Sequence, residues 1–253
     1  MTEDLSSRDA YLRSTEARVI AVEAVEAPEG EPTAPAGAWN VTLDRTVFYP
    51  GGGGQPADAG WLAARDGVRF DVEGARRAGS EIVHRLSHAS RPPIVGEAVT
   101  AQIDWERRHL LMRTHTALHT LCGVVWRDHG ALVTGGNMEP GKGRLDFEFG
   151  ALSGDLVASI EAAVNAEIAA ARPIHVRFFP RDEAFAIPDL IRTKVNLLPP
   201  GLEVVRAIEI EGLDLQADGG THVANTREVG PIRVTGYESK GRINKRIRVE
   251  LAS

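Results

Sequence analysis

Residues 104–130 read DWERRHLLMRTHTALHTLCGVVWRDHG. Asp104 is a good N-cap, Glu106 places a negative charge in the first turn, and Gly130 supplies a stop. The spacing predicts one helix from Asp104 to about Asp128. Leu111, His115, Leu118, His119, Cys122, Val125 and Trp126 recur at three- and four-residue steps, so they share one face. Texture changes across this helix.

Toward the N-terminus the chain reads as short strands and turns: Ala17–Val25, Ala38–Leu43, Val68–Val72 and Glu81–Leu86. Among them lies Gly51-Gly52-Gly53-Gly54, a run that no helix or strand interior would choose. This spacing predicts a small antiparallel barrel or sandwich. Ser90–Gly96 carries a Pro pair and a Gly and reads as a boundary, giving domains 1–92 and 93–253. Beyond it, strands are predicted at Ala98–Ile103, Arg144–Phe149, His175–Phe179, Leu202–Ile210, Ile232–Tyr237 and Arg246–Leu251. A second helix, capped by Ser153, is predicted to run to about Ala171 with Leu156, Ile160, Val164 and Ile168 as its apolar stripe. The second domain is therefore α+β.

The 253 residues are 43% hydrophobic and 25% charged, with 35 acidic against 29 basic side chains. That balance excludes whole-chain disorder and argues against a protein that coats nucleic acid without selectivity. Cys122 is the only cysteine, so no disulfide scaffold exists. No apolar run is long enough to span a bilayer, and the N-terminus lacks an apolar signal core. The expectation is a soluble cytoplasmic protein with no membrane partner.

His115 and His119 stand one turn apart on the predicted helix, the spacing at which two imidazoles share a metal ion. The residues between them are Thr-Ala-Leu, with no glutamate in the place of a protease general base. Gln216-Ala217-Asp218-Gly219-Gly220-Thr221-His222 is a Gly-rich loop ending in a third histidine. His115, His119 and His222 would give three nitrogen ligands, the minimum for a catalytic zinc site. Asp218 could add an oxygen, with Gln216 as a weaker candidate. The alternative is a plain turn with an exposed histidine.

Gly51, Gly52, Gly53, Gly54 and Gln55 lack the Gly-Lys-Ser/Thr of a phosphate cradle, and a turn allowing close packing fits them better. Lys240, Arg242, Lys245, Arg246 and Arg248 place five cations in nine residues. They read either as a solvated strand face or as a phosphate-binding strip.

Three co-linear segments resemble the editing half of alanyl-tRNA synthetase and its free-standing relatives, the AlaX-type alanyl-tRNA editing proteins. Phe48-Tyr49-Pro50-Gly51-Gly52-Gly53-Gly54-Gln55-Pro56, with Asp58 and Gly60, is similar to the FYPxGGGQPxDxG motif. Arg113-Thr114-His115-Thr116-Ala117-Leu118-His119 is similar to the HxxxH zinc motif. Gly219-Gly220-Thr221-His222-Val223, with Asn225, Thr226, Glu228 and Gly230, resembles CGGTHVxxTxEIG. The match covers nearly the whole chain and looks like the medium-length AlaX form, with no room for an aminoacylation domain.

The resemblance implies an N-terminal small antiparallel β-barrel followed by an α+β editing domain like that of alanyl- and threonyl-tRNA synthetases. It implies an ATP-independent aminoacyl-tRNA deacylase that removes serine, and glycine, from mischarged alanine tRNA. The expected cofactor is Zn2+, held by His115, His119 and His222. Where the common motif has cysteine this chain has Asp218, so the fourth ligand is Asp218, Gln216 or water. Thr116, Thr114 and Thr221 are the candidate substrate-facing hydroxyls, although a helical threonine also back-bonds within its helix. Lys240, Arg242 and Lys245 are the candidate tRNA contacts, and Gly51–Gln55 is expected to help close the site. Two other readings compete. One is a non-catalytic aminoacyl-tRNA binding module; the other is a zinc hydrolase of a small ester or amide.

Overall fold

The computed structural model describes residues 1–25, 38–87, 91–193 and 201–252. Contacts group the chain into two units: 1–52 with 56–108, and 53–55 with 109–253.

The first unit contains β1 (Glu3–Asp4), β2 (Ser14–Ala24), β3 (Trp39–Leu43), β4 (Arg45–Thr46), β5 (Gly60–Ala64), β6 (Arg69–Ala78), β7 (Glu81–Ser87) and β8 (Ala98–Ile103). Six of them close a barrel in the order β2-β3-β7-β6-β5-β8. Every pairing around it is antiparallel. The period-2 pattern explains the closure, since alternate residues such as Val99, Ala101 and Ile103 of β8 point inward and are buried. β8 pairs with both β2 and β5, so it belongs to the barrel although it lies beyond residue 92. Ser90 lies outside the described residues. The Pro-Pro-Gly stretch after it turns within the first unit, and contacts of that unit run on to Arg108. Strand alternation alone does not say which sheet a strand joins.

Two polar clusters lie inside this unit. His84 is fully buried, with Nδ1 3.0 Å from Val41 O and Nε2 2.8 Å from Thr46 Oγ1. A carbonyl only accepts, so Nδ1 carries the proton and Nε2 accepts from the threonine. Burial pushes His84 down to about 4. Asp58 and Arg108 form a buried ion pair through Nε at 2.9 Å and through Nη2. Arg108 also donates to Ala10 O at 2.9 Å and Val47 O at 2.7 Å. Asp58 accepts from Tyr49 N at 2.6 Å and donates its own amide to Tyr49 O at 3.1 Å. The pair thus ties off the base of the glycine-rich loop, where Gly51 and Gly52 take φ of 77° and 138°.

Helix α1 (Trp105–His129) starts in the first unit and continues through the second. Asp104 Oδ1 caps it by accepting from Arg107 N at 3.1 Å, and Gly130, at φ 62°, ends it. The second unit adds β9 (Val133–Glu139), β10 (Lys142–Glu148), α2 (Gly154–Ala169), β11 (Ile174–Pro180), α3 (Arg181–Ala186), β12 (Val204–Ile210), β13 (Asp214–Ala217), a 3-10 turn at Thr226–Val229, β14 (Ile232–Ser239) and β15 (Asn244–Leu251). They form one sheet of order β14-β15-β10-β9 and another of order β11-β12-β13. Ser153 caps α2 by accepting from Leu156 N at 3.2 Å. The elements missed in the sequence are strands β1, β4, β5, β9 and β13 and helix α3; β1, β4 and β13 are four residues or shorter, α3 is six, and β5 and β9 carry glycine. Among the described residues no helix is long and apolar enough to cross a membrane.

Candidate metal centre

The i, i+4 spacing on α1 puts the His115 and His119 rings 4.9 Å apart between centroids. The loop after β13 brings His222 to 4.3 Å from His115 and 4.6 Å from His119. Asp218 completes the group. Its carboxylate lies 3.6 Å from His115 Nε2, 3.9 Å from His119 Nε2 and 3.1 Å from His222 Nε2. One ligand atom from each of the four residues lies within 4.8 Å of the others. Ligands at zinc-like bond lengths stand roughly 3.4 Å apart in a tetrahedron. Three imidazoles and a carboxylate at this spacing therefore fit a divalent metal.

The protonation states agree with that. Burial lowers His115 to about 3 and His119 and His222 to about 4, with the positive charge of Arg206 adding to the effect. All three are neutral at pH 7, with lone pairs free for a metal. Burial alone would raise the Asp218 carboxyl, but its attraction to whichever of these imidazoles is protonated, and its hydrogen bond with His222, hold it well below the usual range. The cluster is largely buried: the His119 and Asp218 side chains are 11% and 10% exposed, those of His115 and His222 6% and 2%.

The histidines are held from behind. Gln55 Oε1 is 3.0 Å from His115 Nδ1 and accepts from Thr221 N at 2.9 Å, while Gln55 Nε2 donates to Thr221 Oγ1 at 2.8 Å. The Thr221 amide demands an oxygen, which settles which way the Gln55 amide points. His115 Nδ1 then carries the proton and Nε2 faces the cluster bare. His222 Nδ1 lies 3.1 Å from Thr116 Oγ1, which also accepts from Val223 N at 3.3 Å. Among the described residues His119 Nδ1 has no partner. Gly220 lets the loop pass close, since a Cβ there would sit 2.3 Å from His115 Cε1 and 2.7 Å from Gln55 Oε1. Asp218 is anchored by Gly220 N at 2.6 Å and flanked by Arg206 Nη1 at 3.7 Å.

Several sequence-predicted residues fall elsewhere. Gln216 donates to Asp214 rather than facing the cluster, so it is not the fourth ligand. The two-residue strand period puts it one row from Asp218, beside the buried Cys122 thiol, which burial pushes up to about 12. The Thr114 hydroxyl donates to Leu110 O at 2.7 Å and accepts from Gly141 N at 3.0 Å, away from the histidines. The Thr116 and Thr221 hydroxyls are engaged with His222 and Gln55. Lys245 is buried, and its ammonium closes the β14–β15 hairpin on Ser239 Oγ, Gly241 O and Arg242 O at 3.1, 2.7 and 3.0 Å. It is a turn brace and is not available to a phosphate. Arg246 is spent on Asp146, Arg248 on Glu238, and Lys240 lies 3.6 Å from Glu238. Exposed Arg242 has no side-chain partner among the described residues. Of the glycine-rich motif, Gly51 and Gly52 group with the first unit and Gly53, Gly54 and Gln55 with the second. The roles of Gln55 and Arg206 went unread in the sequence. The alternation of β12 carried the signal for Arg206, because Ile208 and Ile210 on the same face are buried.

Residues 205–248 match the threonyl and alanyl tRNA synthetase second additional domain, and residues 3–107 match class II (A) tRNA synthetases. The chain is 36% identical over 248 residues to alanyl-tRNA editing protein AlaX-M of Saccharolobus solfataricus, covering 98% of both chains. It is 34% identical over 250 residues to AlaX-M of Methanosarcina barkeri, again covering 98% of both. Against the alanine–tRNA ligase of Pyrobaculum neutrophilum it is 33% identical over 244 residues, which is 94% of this chain and 25% of the ligase. The chain belongs to the AlaX-M family of alanyl-tRNA editing proteins.

Proposed function

We propose that this chain hydrolyses the ester bond of serine, and of glycine, wrongly attached to alanine tRNA, using zinc held by His115, His119, His222 and Asp218. The observation that carries the reading is the convergence of three neutral imidazoles on one carboxylate within a module of the editing family. Zinc bound there supplies a Lewis acid to the ester. The chain's own residues do the rest. Gln55 and Thr116 hold the rings of His115 and His222, so the ligand atoms are placed before substrate arrives. His119 and Asp218 are the more exposed members of the cluster, and an aminoacyl group enters over them. Arg206 keeps a fixed positive charge beside Asp218, suited to the oxygen that gains charge as the ester carbonyl is attacked. Exposed Lys240 and Arg242 are the candidate phosphate contacts. A translation-fidelity role places the protein in the cytoplasm.

The test is deacylation of Ser-tRNA(Ala) beside Ala-tRNA(Ala), with and without a chelator. Rapid chelator-sensitive loss of serine, with alanine spared, is the expected outcome. Binding of tRNA without release of serine would replace the hydrolase with a binding module. Equal hydrolysis of a small seryl ester would remove the tRNA from the reading.

A further inference from the structure

The three-stranded sheet carries the site outward. Phe178 of β11 stands directly opposite Arg206 of β12. Arg206 continues the row to Asp218, whose amide donates to Arg206 O at 3.1 Å and whose carbonyl accepts from Arg206 Nη1 at 2.8 Å. Residues directly opposite across strands share a face. The next row on that face is Val176, Ile208 and Gln216. Ile208 is fully buried, whereas Val176 is 38% and Phe178 50% exposed. The row thus passes from a cluster carboxylate, over a guanidinium, to an open aromatic ring. Strand spacing puts the Phe178 backbone about 10 Å from that of Asp218 along the row. The other face of β11 is different: Arg177 pairs with Glu209 at 2.7 Å and His175 with Glu211 at 3.5 Å. Among the described residues of this sheet, the exposed apolar ring, Phe178, is on the face leading to the cluster.

The proposed substrate fixes what such a ring meets. The ester is carried by the ribose of the terminal nucleoside. With the ester at the cluster, the base on that ribose falls within one nucleoside's length of it. An exposed phenyl face stacks any base, and such stacking is a recurrent source of affinity for single-stranded ends. We propose that Phe178 is the platform on which the terminal adenine stacks, with Arg206 between it and the reacting ester. This rests on the aminoacyl-tRNA reading above.

The test separates the two. The full-length protein is titrated with an uncharged acceptor-stem RNA hairpin ending in adenosine and with the same hairpin ending in a ribose that lacks its base, and binding is followed by fluorescence anisotropy. The wild type is expected to prefer the adenosine end about 5- to 100-fold. Phe178→Ala and Phe178→Leu bring the two hairpins within about twofold, and Phe178→Trp keeps the preference. Phe178→Leu retains apolar bulk, so a loss shared with Phe178→Ala reports the missing ring face. No preference in the wild type, or an unchanged preference in both Phe178→Ala and Phe178→Leu, overturns the proposal. The hairpin carries no ester, so hydrolysis does not enter. A protein with the base preference that leaves serine on the tRNA loses the hydrolase reading alone. One that releases serine without the preference loses the stacking platform alone.

Discussion

Gln55 Oε1 stands 3.0 Å from His115 Nδ1 and 2.9 Å from the backbone nitrogen of Thr221, so one side-chain carbonyl braces two segments of the cluster that lie more than 100 residues apart in sequence. Gln55→Ala removes both bonds. Outer-shell losses of this kind weaken metal affinity about 10- to 100-fold. Competition against a chromophoric chelator reads that shift directly. Gln55→Glu keeps an acceptor for both donors and recovers most of it. Unchanged affinity in Gln55→Ala would mean that His115 needs no brace.

Thr116 was expected from the sequence to sense the serine side chain, yet its hydroxyl faces His222 Nδ1 at 3.1 Å. Thr116→Val nearly preserves shape and deletes that contact. If the threonine positions the ligand, metal content and seryl hydrolysis fall together. If it selects substrate, metal content stays and only the serine-over-alanine ratio moves. We expect the first pattern, measured by metal analysis of purified protein alongside both deacylation rates.

With Asp218 the four residues offer a metal three nitrogens and one oxygen. An oxygen donor relaxes the preference for zinc over harder divalent ions relative to a thiolate. Asp218→Cys is expected to sharpen zinc selectivity in competition with manganese, and Asp218→Asn to lower affinity for both. The same zinc-to-manganese ratio in wild type and Asp218→Cys would show that Asp218 is not a ligand.

The Asp58–Arg108 pair, with side chains 1% and 0% exposed, is a buried ion pair whose remaining donors are also satisfied. Removing one partner strands the other. Asp58→Asn is expected to destabilise the chain by about 3–5 kcal/mol. Thermal unfolding followed by circular dichroism measures it, and a midpoint within a degree of wild type would contradict it.

His84 sets a pH limit on the barrel. Its folded value is about 4, against 6.5 for an unperturbed imidazole. The unfolded chain takes up its proton first as the pH falls. The stability His84 contributes is therefore whole above about pH 6.5 and is lost progressively toward pH 4, by roughly 3 kcal/mol in all. His84→Gln should flatten that part of the stability–pH curve relative to wild type in urea titrations from pH 7 to 4. Parallel curves would place the titration elsewhere.

The sequence exposed the regular elements whose caps and periods were intact. Asp104, Gly130 and Ser153 bounded both long helices close to where they lie, and the three histidines were found from spacing and loop chemistry. The site's supports were harder to see because they act across distance. Gln55 stood out as the end of the glycine run, but nothing local marks its bond to His115, 60 positions away. Lys245 looked like part of a basic strip because charge patterning does not report direction; β15 alternates, and that position points inward. Gln216 shares the strand phase of Asp218 but lies one row away and is engaged with Asp214, whereas Asp218, past the end of β13, is turned into the cluster by its bond to the Gly220 amide.

Asp218 also leaves the four-residue cluster without sulfur. A cysteine ligand can be carried through sulfenic and sulfinic acids by peroxide, and the ion goes with it. Here the one thiol, Cys122, is buried and shifted to about 12, so it offers almost no thiolate to an oxidant. Imidazole and carboxylate do not enter that ladder. Peroxide that would disarm a thiolate leaves these four side chains chemically intact, so a metal held by them would be insulated from the redox state of its surroundings.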